Sequence, residues 1–214
     1  MHPFALLTGI VSVAMLSLHG ASYAALKVSQ PMSARAQSAG RLAAIAYVVA
    51  FIAAGLWVST AIVGQRIVSG ADPYGPSNPV GKRVVSASGA WVDNFHAHPL
   101  LWLIPIAGVL AALAAAMLLR RGSAGRAFIA SSLVQAATIL TAGSALFPFL
   151  LPSSSEPDHG LTVWDASSSP KTLLIMTVVV LVFLPIVLAY TAWVFHVLRG
   201  RVTLEELRRH DGAY

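Results

Sequence analysis

The sequence contains no cysteine, and only 10% of its 214 residues are Asp, Glu, Lys or Arg. The first absence excludes disulfides, iron–sulfur clusters and thiolate-ligated haem within this chain. The second falls far short of the roughly 25% charge of ordinary soluble domains and leaves too little polar surface for a water-soluble protein. No phosphate-binding loop, nucleophile triad or zinc-protease helix is present, and no internal repeat or low-complexity tract stands out. The shortage of charge is concentrated. Five runs, Phe4–Leu26, Leu42–Val63, Leu100–Leu119, Ala127–Leu151 and Thr172–Leu198, contain no acid, lysine or arginine at all. A helix rises about 1.5 Å per residue, so about 20 residues cross the roughly 30 Å hydrocarbon layer. The chain reads as one all-α integral membrane domain over residues 1–214, with five transmembrane helices in a bundle. The missing intramembrane charge argues against a pump or a redox centre built from this polypeptide alone.

What charge there is flanks the spans. The net charge is +6, yet the basic residues form no single patch, so nucleic acid is not an expected partner. Lys27, Arg35, Arg41, Arg120, Arg121, Arg126, Arg199, Arg201, Arg208 and Arg209 fall on one side of the spans. Arg66, Lys82, Arg83 and Lys171 fall on the other, with the loop acids Asp72, Asp93, Glu156, Asp158 and Asp165. The positive-inside rule places the first group in the cytoplasm, the N-terminus outside and the C-terminus inside. The first run carries the small-residue string Ala21-Ser22-Tyr23-Ala24, but its start, Met1-His2-Pro3, has no Lys or Arg and the run is long for a signal peptide. It is read as a retained helix. A first span entering from outside leads to the expectation that further sequence precedes Met1.

The first outer loop holds turn residues over Gly70–Pro79. Asn78 followed by Pro79 reads as a helix cap and first helical residue. This predicts a short surface helix from Pro79 to Phe95 with Val80, Val84, Ala87 and Trp91 on one face, and Trp91, Phe95 and Trp102 as interfacial anchors. In the second outer loop, Ser169-Pro170 restarts a helix, and Asp165 is expected to accept backbone N–H bonds near that start. Ala107, Ala111, Ala114 and Ala115 are the expected close-packing stripe of the third span. Pro105, Pro148 and Pro185 should bend their spans.

Thr8, Ser12, Met15, His19 and Ser22 recur at helical spacing on one face of the first span. His19 with Met15 is a weak haem or copper candidate. Hydrogen bonding to neighbouring helices is preferred, because no second intramembrane histidine stands at comparable depth; His196 lies at the cytoplasmic end. Ser131, Gln135 and Thr138 form a similar stripe, and Gln135 should point into the bundle because a bare amide in hydrocarbon is costly. His96, His98 and Asp93, with Asp158 and His159, suggest a remote metal site, but histidines two apart need a third ligand. No catalytic residue and no metal ligand are assigned; Trp91, Gln135, Trp164 and Asp165 are structural or interface candidates.

Specific strings then become informative. Phe147-Pro148-Phe149-Leu150-Leu151-Pro152-Ser153-Ser154, Leu161-Thr162-Val163-Trp164-Asp165-Ala166-Ser167-Ser168-Ser169 and Leu184-Pro185-Ile186-Val187-Leu188-Ala189-Tyr190-Thr191-Ala192-Trp193 resemble subunit II of the cytochrome bd-type quinol oxidases. Pro3-Phe4-Ala5-Leu6-Leu7-Thr8-Gly9, the stretch from Ser77-Asn78-Pro79 to Phe95, and Gly200-Arg201-Val202-Thr203 are similar to the same family. The resemblance runs from end to end but matches only the last five of that subunit's spans, and the family's early acidic segment has no counterpart. It implies a non-haem-ligating scaffold in the inner membrane that packs on a haem-bearing subunit I, with small single-span subunits, lipid and quinol nearby. Haem b and haem d are expected on subunit I, and a structural quinone among these helices stays open. The complex so implied oxidises quinol, reduces dioxygen to water and generates proton-motive force. The alternatives are a small transporter or channel, which needs polar spans converging on a site, and a membrane cytochrome using His19.

Overall fold

A computed structural model describes residues 2–197, apart from Ala71, Pro73, Tyr74 and Pro76. Six helices are α1 (Pro3–Lys27), α2 (Met32–Thr60), α3 (Asp93–Ala97), α4 (Leu103–Arg120), α5 (Ala124–Leu146) and α6 (Pro170–Val197). All but α3 are long and apolar enough to cross a membrane. Residue 198 and the basic tail lie outside the described residues.

Four helices close into a ring, with α1 against α2, α2 against α4, α4 against α5 and α5 back against α1. Leu18, Ala44, Tyr47, Ala112, Ala115, Leu119, Ala127 and Val134 are wholly buried along its axis. Lipid tails are as apolar as leucine, so helices associate in a membrane by close fit rather than by escape from water. Gly108 shows the fit: a Cβ there would sit 3.0 Å from Ala137 Cβ and 3.4 Å from Tyr47 Oη. The close-packed stripe of α4 is Gly108, Ala112, Ala115 and Leu119. Ala107 and Ala114 of the expected stripe are exposed and Ala111 is half-buried, so only Ala115 was correctly placed in the seam.

The fifth apolar helix behaves differently. No described residue of α6 is buried, and Val194 alone is half-covered. Its start is as expected: Pro170 opens it and Ser169 Oγ accepts the Thr172 N–H at 3.4 Å. Among the described residues, four of the five spanning helices bury side chains against one another and α6 buries none.

Both long loops leave from the same end of the ring. The first is a hairpin, not a helix over 79–95. Strands β1 (Val63–Ser69) and β2 (Arg83–Ser88) pair antiparallel, with Ile67 opposite Val84 and Val63 opposite Ser88. The adjacent β-branched Val84 and Val85 favour the pleated strand, where one points inward and its neighbour outward; Val84 is 7% exposed and Val85 41%. Asn78–Gly81 is a turn closed by the Gly81 N–H on Asn78 O at 3.2 Å, and Gly70 turns with φ +81°. The helical part of the loop is confined to a 3-10 turn, Ala90–Val92, and to α3. The second loop carries strands β3 (Phe149–Leu151) and β4 (Leu161–Thr162). The fourth apolar run thus splits: α5 stops at Leu146, Pro148 lies beyond it, and Phe149–Leu151 is strand.

Candidate functional site

The two long loops fold together into a cap, and its centre is an ion pair. Lys82 Nζ donates to Asp165 Oδ2 at 2.7 Å and to Pro79 O at 2.6 Å, with the Lys82 side chain 1% and the Asp165 side chain 11% exposed. Thr162 donates to the same carboxylate oxygen from Oγ1 at 2.6 Å and from its backbone N–H at 3.2 Å. Burial pushes the Asp165 carboxyl up, but the hydrogen bonds from Lys82 and Thr162 outweigh it and hold it below the ordinary Asp value. Asp165 therefore does not cap α6, as its sequence position suggested; it anchors one loop to the other. Three further bonds join the loops: Ser77 Oγ to Asp165 O at 2.5 Å, the Val84 N–H to Asp158 Oδ1 at 2.6 Å, and Gln65 Nε2 to Ser153 O.

Beside this lock lies a cavity of about 240 Å³ lined by both Trp91 and Trp164. Asn94 ties its floor to the end of α5, donating from Nδ2 to Ser144 O at 2.8 Å and to Phe147 O at 2.6 Å. Arg66 and Asp93 form a two-bond pair at 2.7 and 2.8 Å. The metal grouping imagined around Asp93 does not assemble. Asp93 is held by Arg66, Asp158 by Val84, and His96, His98 and His159 are exposed.

Within the bundle, His19 Nδ1 lies 2.9 Å from Ser131 Oγ on α5, and its ring stacks on Phe128 at 4.6 Å between centroids. Of the first-span stripe, only His19 reaches across in this way: Ser12 and Ser22 donate to carbonyls of their own helix. Tyr47 and Thr138 share a second crossing bond at 2.8 Å. The Gln135 Nε2 is buried without a hydrogen-bond partner. A larger apolar cavity of about 600 Å³ opens at the loop-bearing end, reached by Phe4 and Thr8 of α1, Phe51 of α2, Ile106 of α4 and Thr141 of α5. Lys82, Tyr47, Gln65 and Thr162 were not singled out from sequence. Tyr47 had a signal, since a phenol in mid-span must find a partner; Lys82 had none.

Residues 1–198 match the family described as Cytochrome bd terminal oxidase subunit II. The chain belongs to that family. It is similar to the Cytochrome bd-I ubiquinol oxidase subunit 2 of Escherichia coli, 43% identical over 210 residues that make up 98% of this chain and 55% of the relative. It is also similar to the Probable cytochrome oxidase subunit 2 of Haemophilus influenzae, 39% identical over 94% of this chain and 53% of the relative. A third relative, the Cytochrome bd ubiquinol oxidase subunit 2 of Bacillus subtilis, is 33% identical over 50% of this chain and 31% of its own length. The chain spans about half the length of the first two curated relatives. Among the strings that suggested the cytochrome bd subunit II family, Thr162 and Asp165 share bonds in the cap and Trp164 lines the cavity beside them.

Proposed function

We propose that this chain is a haem-free supporting part of a bd-type quinol oxidase in the bacterial cytoplasmic membrane. The complex oxidises quinol, reduces dioxygen to water on haems b and d held by subunit I, and generates proton-motive force. The observation that carries this reading is the 43% identity, sustained over 98% of the chain, to a protein named as subunit 2 of a ubiquinol oxidase. The basic turns after α1 and α4 lie at the end opposite the cap, which supports an outward cap, an outside N-terminus and a cytoplasmic C-terminus.

Within the described bundle, the setting of His19 favours a bridging role over an axial haem ligand. An axial ligand has to face an open cavity, and neither cavity is lined by His19. Its Nδ1 is engaged by Ser131 and one face of its ring is covered by Phe128. The 600 Å³ groove is almost wholly apolar and suits a lipid chain or the tail of a structural quinone.

Affinity purification of the full chain from its native membrane tests the reading. A larger haem-bearing subunit is expected to accompany it, with the absorption bands of haems b and d and with quinol oxidase activity. A b-type haem retained by this chain alone, or purification without any haem protein, would overturn it.

A further inference from the structure

Strand β1 is paired along one edge. Val84, opposite Ile67 in the register, gives its backbone N–H to Asp158 Oδ1 at 2.6 Å rather than to β1. In an antiparallel ladder this makes Ile67 and Val84 a pair whose N–H and C=O groups point away from each other, and Gln65 with Ser86 is the next such pair. On the β2 side the second loop takes up the outward N–H of Val84. On the β1 side, the outward backbone groups of Gln65 and Ile67 meet no protein partner among the described residues. Donors and acceptors are left there at the spacing of a strand.

The cavity of about 240 Å³ follows that edge, lined by Gln65, Arg66 and Ile67 and by no residue of β2. Consecutive strand residues point to opposite faces, so a cavity touching all three runs beside the strand and not beneath one face. Its far walls are the rings of Trp91, Phe149 and Trp164. The edge is held in place. Gln65 is tied to Ser153 O, and Gly64 packs so closely on the 3-10 turn that a Cβ there would lie 2.8 Å from Trp91 N. A strand edge beside a pocket is the arrangement that recognises extended peptide: backbone bonds give affinity, and the pocket reads a side chain. A second copy of β1 suits the edge poorly. Antiparallel self-pairing through Gln65 and Ile67 would set two Arg66 side chains on one face of the enlarged sheet, where like charges repel.

We propose that β1 accepts an extended segment from an outward-facing loop of the haem-bearing subunit as a third strand, with one apolar or aromatic side chain of that segment seated against Trp91, Phe149 and Trp164. This rests on the reading of the chain as that subunit's partner. Anchoring both in one membrane keeps such a loop at high effective concentration beside the edge.

Hydrogen exchange resolved to single amides, measured on the purified oxidase, reads the pairing in the unaltered protein. The Gln65 and Ile67 amides should exchange as slowly as that of Arg66, whose N–H faces β2. Rates about tenfold or more above that of Arg66, in a complex that still carries haems b and d, would overturn the third strand and leave the oxidase reading standing. Absence of any haem protein from the purified chain would remove the proposed occupant and the oxidase reading together. A photo-crosslinking group placed at Val68, which is 53% exposed, identifies the neighbour. A product with the haem-bearing subunit is expected; products formed only with lipid or with a second copy of this chain would overturn the proposal. Ile67→Pro deletes one outward N–H and Ile67→Ala keeps it, and edge strands accept proline. The proline variant should retain the haem-bearing subunit about fivefold less well than the alanine variant, the worth of one hydrogen bond. Equal retention would count against the third strand.

Discussion

The ring of helices and the cap above it are held together by different physics. In the ring, hydroxyls mostly turn back on their own helix, as Ser22 does to Leu18 O and Thr141 to Ala137 O, and contact is made through Gly108, Ala112 and Ala115. In the cap, bonds run between residues far apart in sequence, from Lys82 to Asp165, Val84 to Asp158 and Ser77 to Asp165. The contrast follows from the two solvents. Lipid offers no hydrophobic drive between helices, so shape decides which faces meet. The cap has short strands and little core, and it fixes its geometry with a buried charge pair and directed hydrogen bonds. α6 marks the limit of the first regime. It is more apolar than the others but carries no stripe of small residues, and none of its described residues is buried.

The largest effect should come from breaking the cap. Lys82→Ala leaves the Asp165 carboxylate buried without its cation, a loss of about 3–5 kcal/mol by analogy with other buried pairs. Hydrogen exchange over residues 152–169 should rise sharply while exchange in α1 and α5 stays slow; equal change in both would show that cap and ring form one cooperative unit. Acid should act on the same place. Because the folded Asp165 carboxyl titrates below its ordinary value, the pair's contribution is complete above about pH 3.9 and fades as pH falls through and below that value. Exchange in 152–169 should therefore be flat from pH 7 to 5 after correction for intrinsic rates, then increase towards pH 3.

In the ring, Ala112→Leu should cost about 1–3 kcal/mol by overpacking. Ala114→Leu, two residues away but facing out of the seam, should stay within about 0.5 kcal/mol. Thermal unfolding in detergent separates the two, and similar shifts would mean the seam is wrongly placed. Smallest of all, Tyr47→Phe removes the bond to Thr138 and should cost about 0.6 kcal/mol, the average for such bonds between membrane helices.

The membrane spans were legible because an uncharged run of twenty or more residues has few other uses. Their packing was not. Ala107, Ala111, Ala114 and Ala115 are all small, and only the three-dimensional seam shows that Ala115 is buried together with Gly108 and Ala112 while Ala107 and Ala114 face out. The hairpin was misread because Val80, Val84, Ala87 and Trp91 satisfy helical spacing, while the pairing that makes Val84 a strand residue comes from Ile67, seventeen residues earlier. Asp165 stood out in the sequence as a residue near the start of α6, but its partner Lys82 lies 83 residues away, beyond any local rule. Trp91 was visible as an interfacial anchor and Trp164 as a structural or interface candidate; that they line one cavity is a fact of the fold.

We propose that this chain supports a redox complex without ligating its haems, and the haem content of the assembled oxidase purified with His19→Ala tests it. The ratio of haems b and d to protein and the rate of quinol oxidation should be unchanged, because His19 bridges to Ser131. Loss of one haem per complex, with the remaining subunits still assembled, would contradict it.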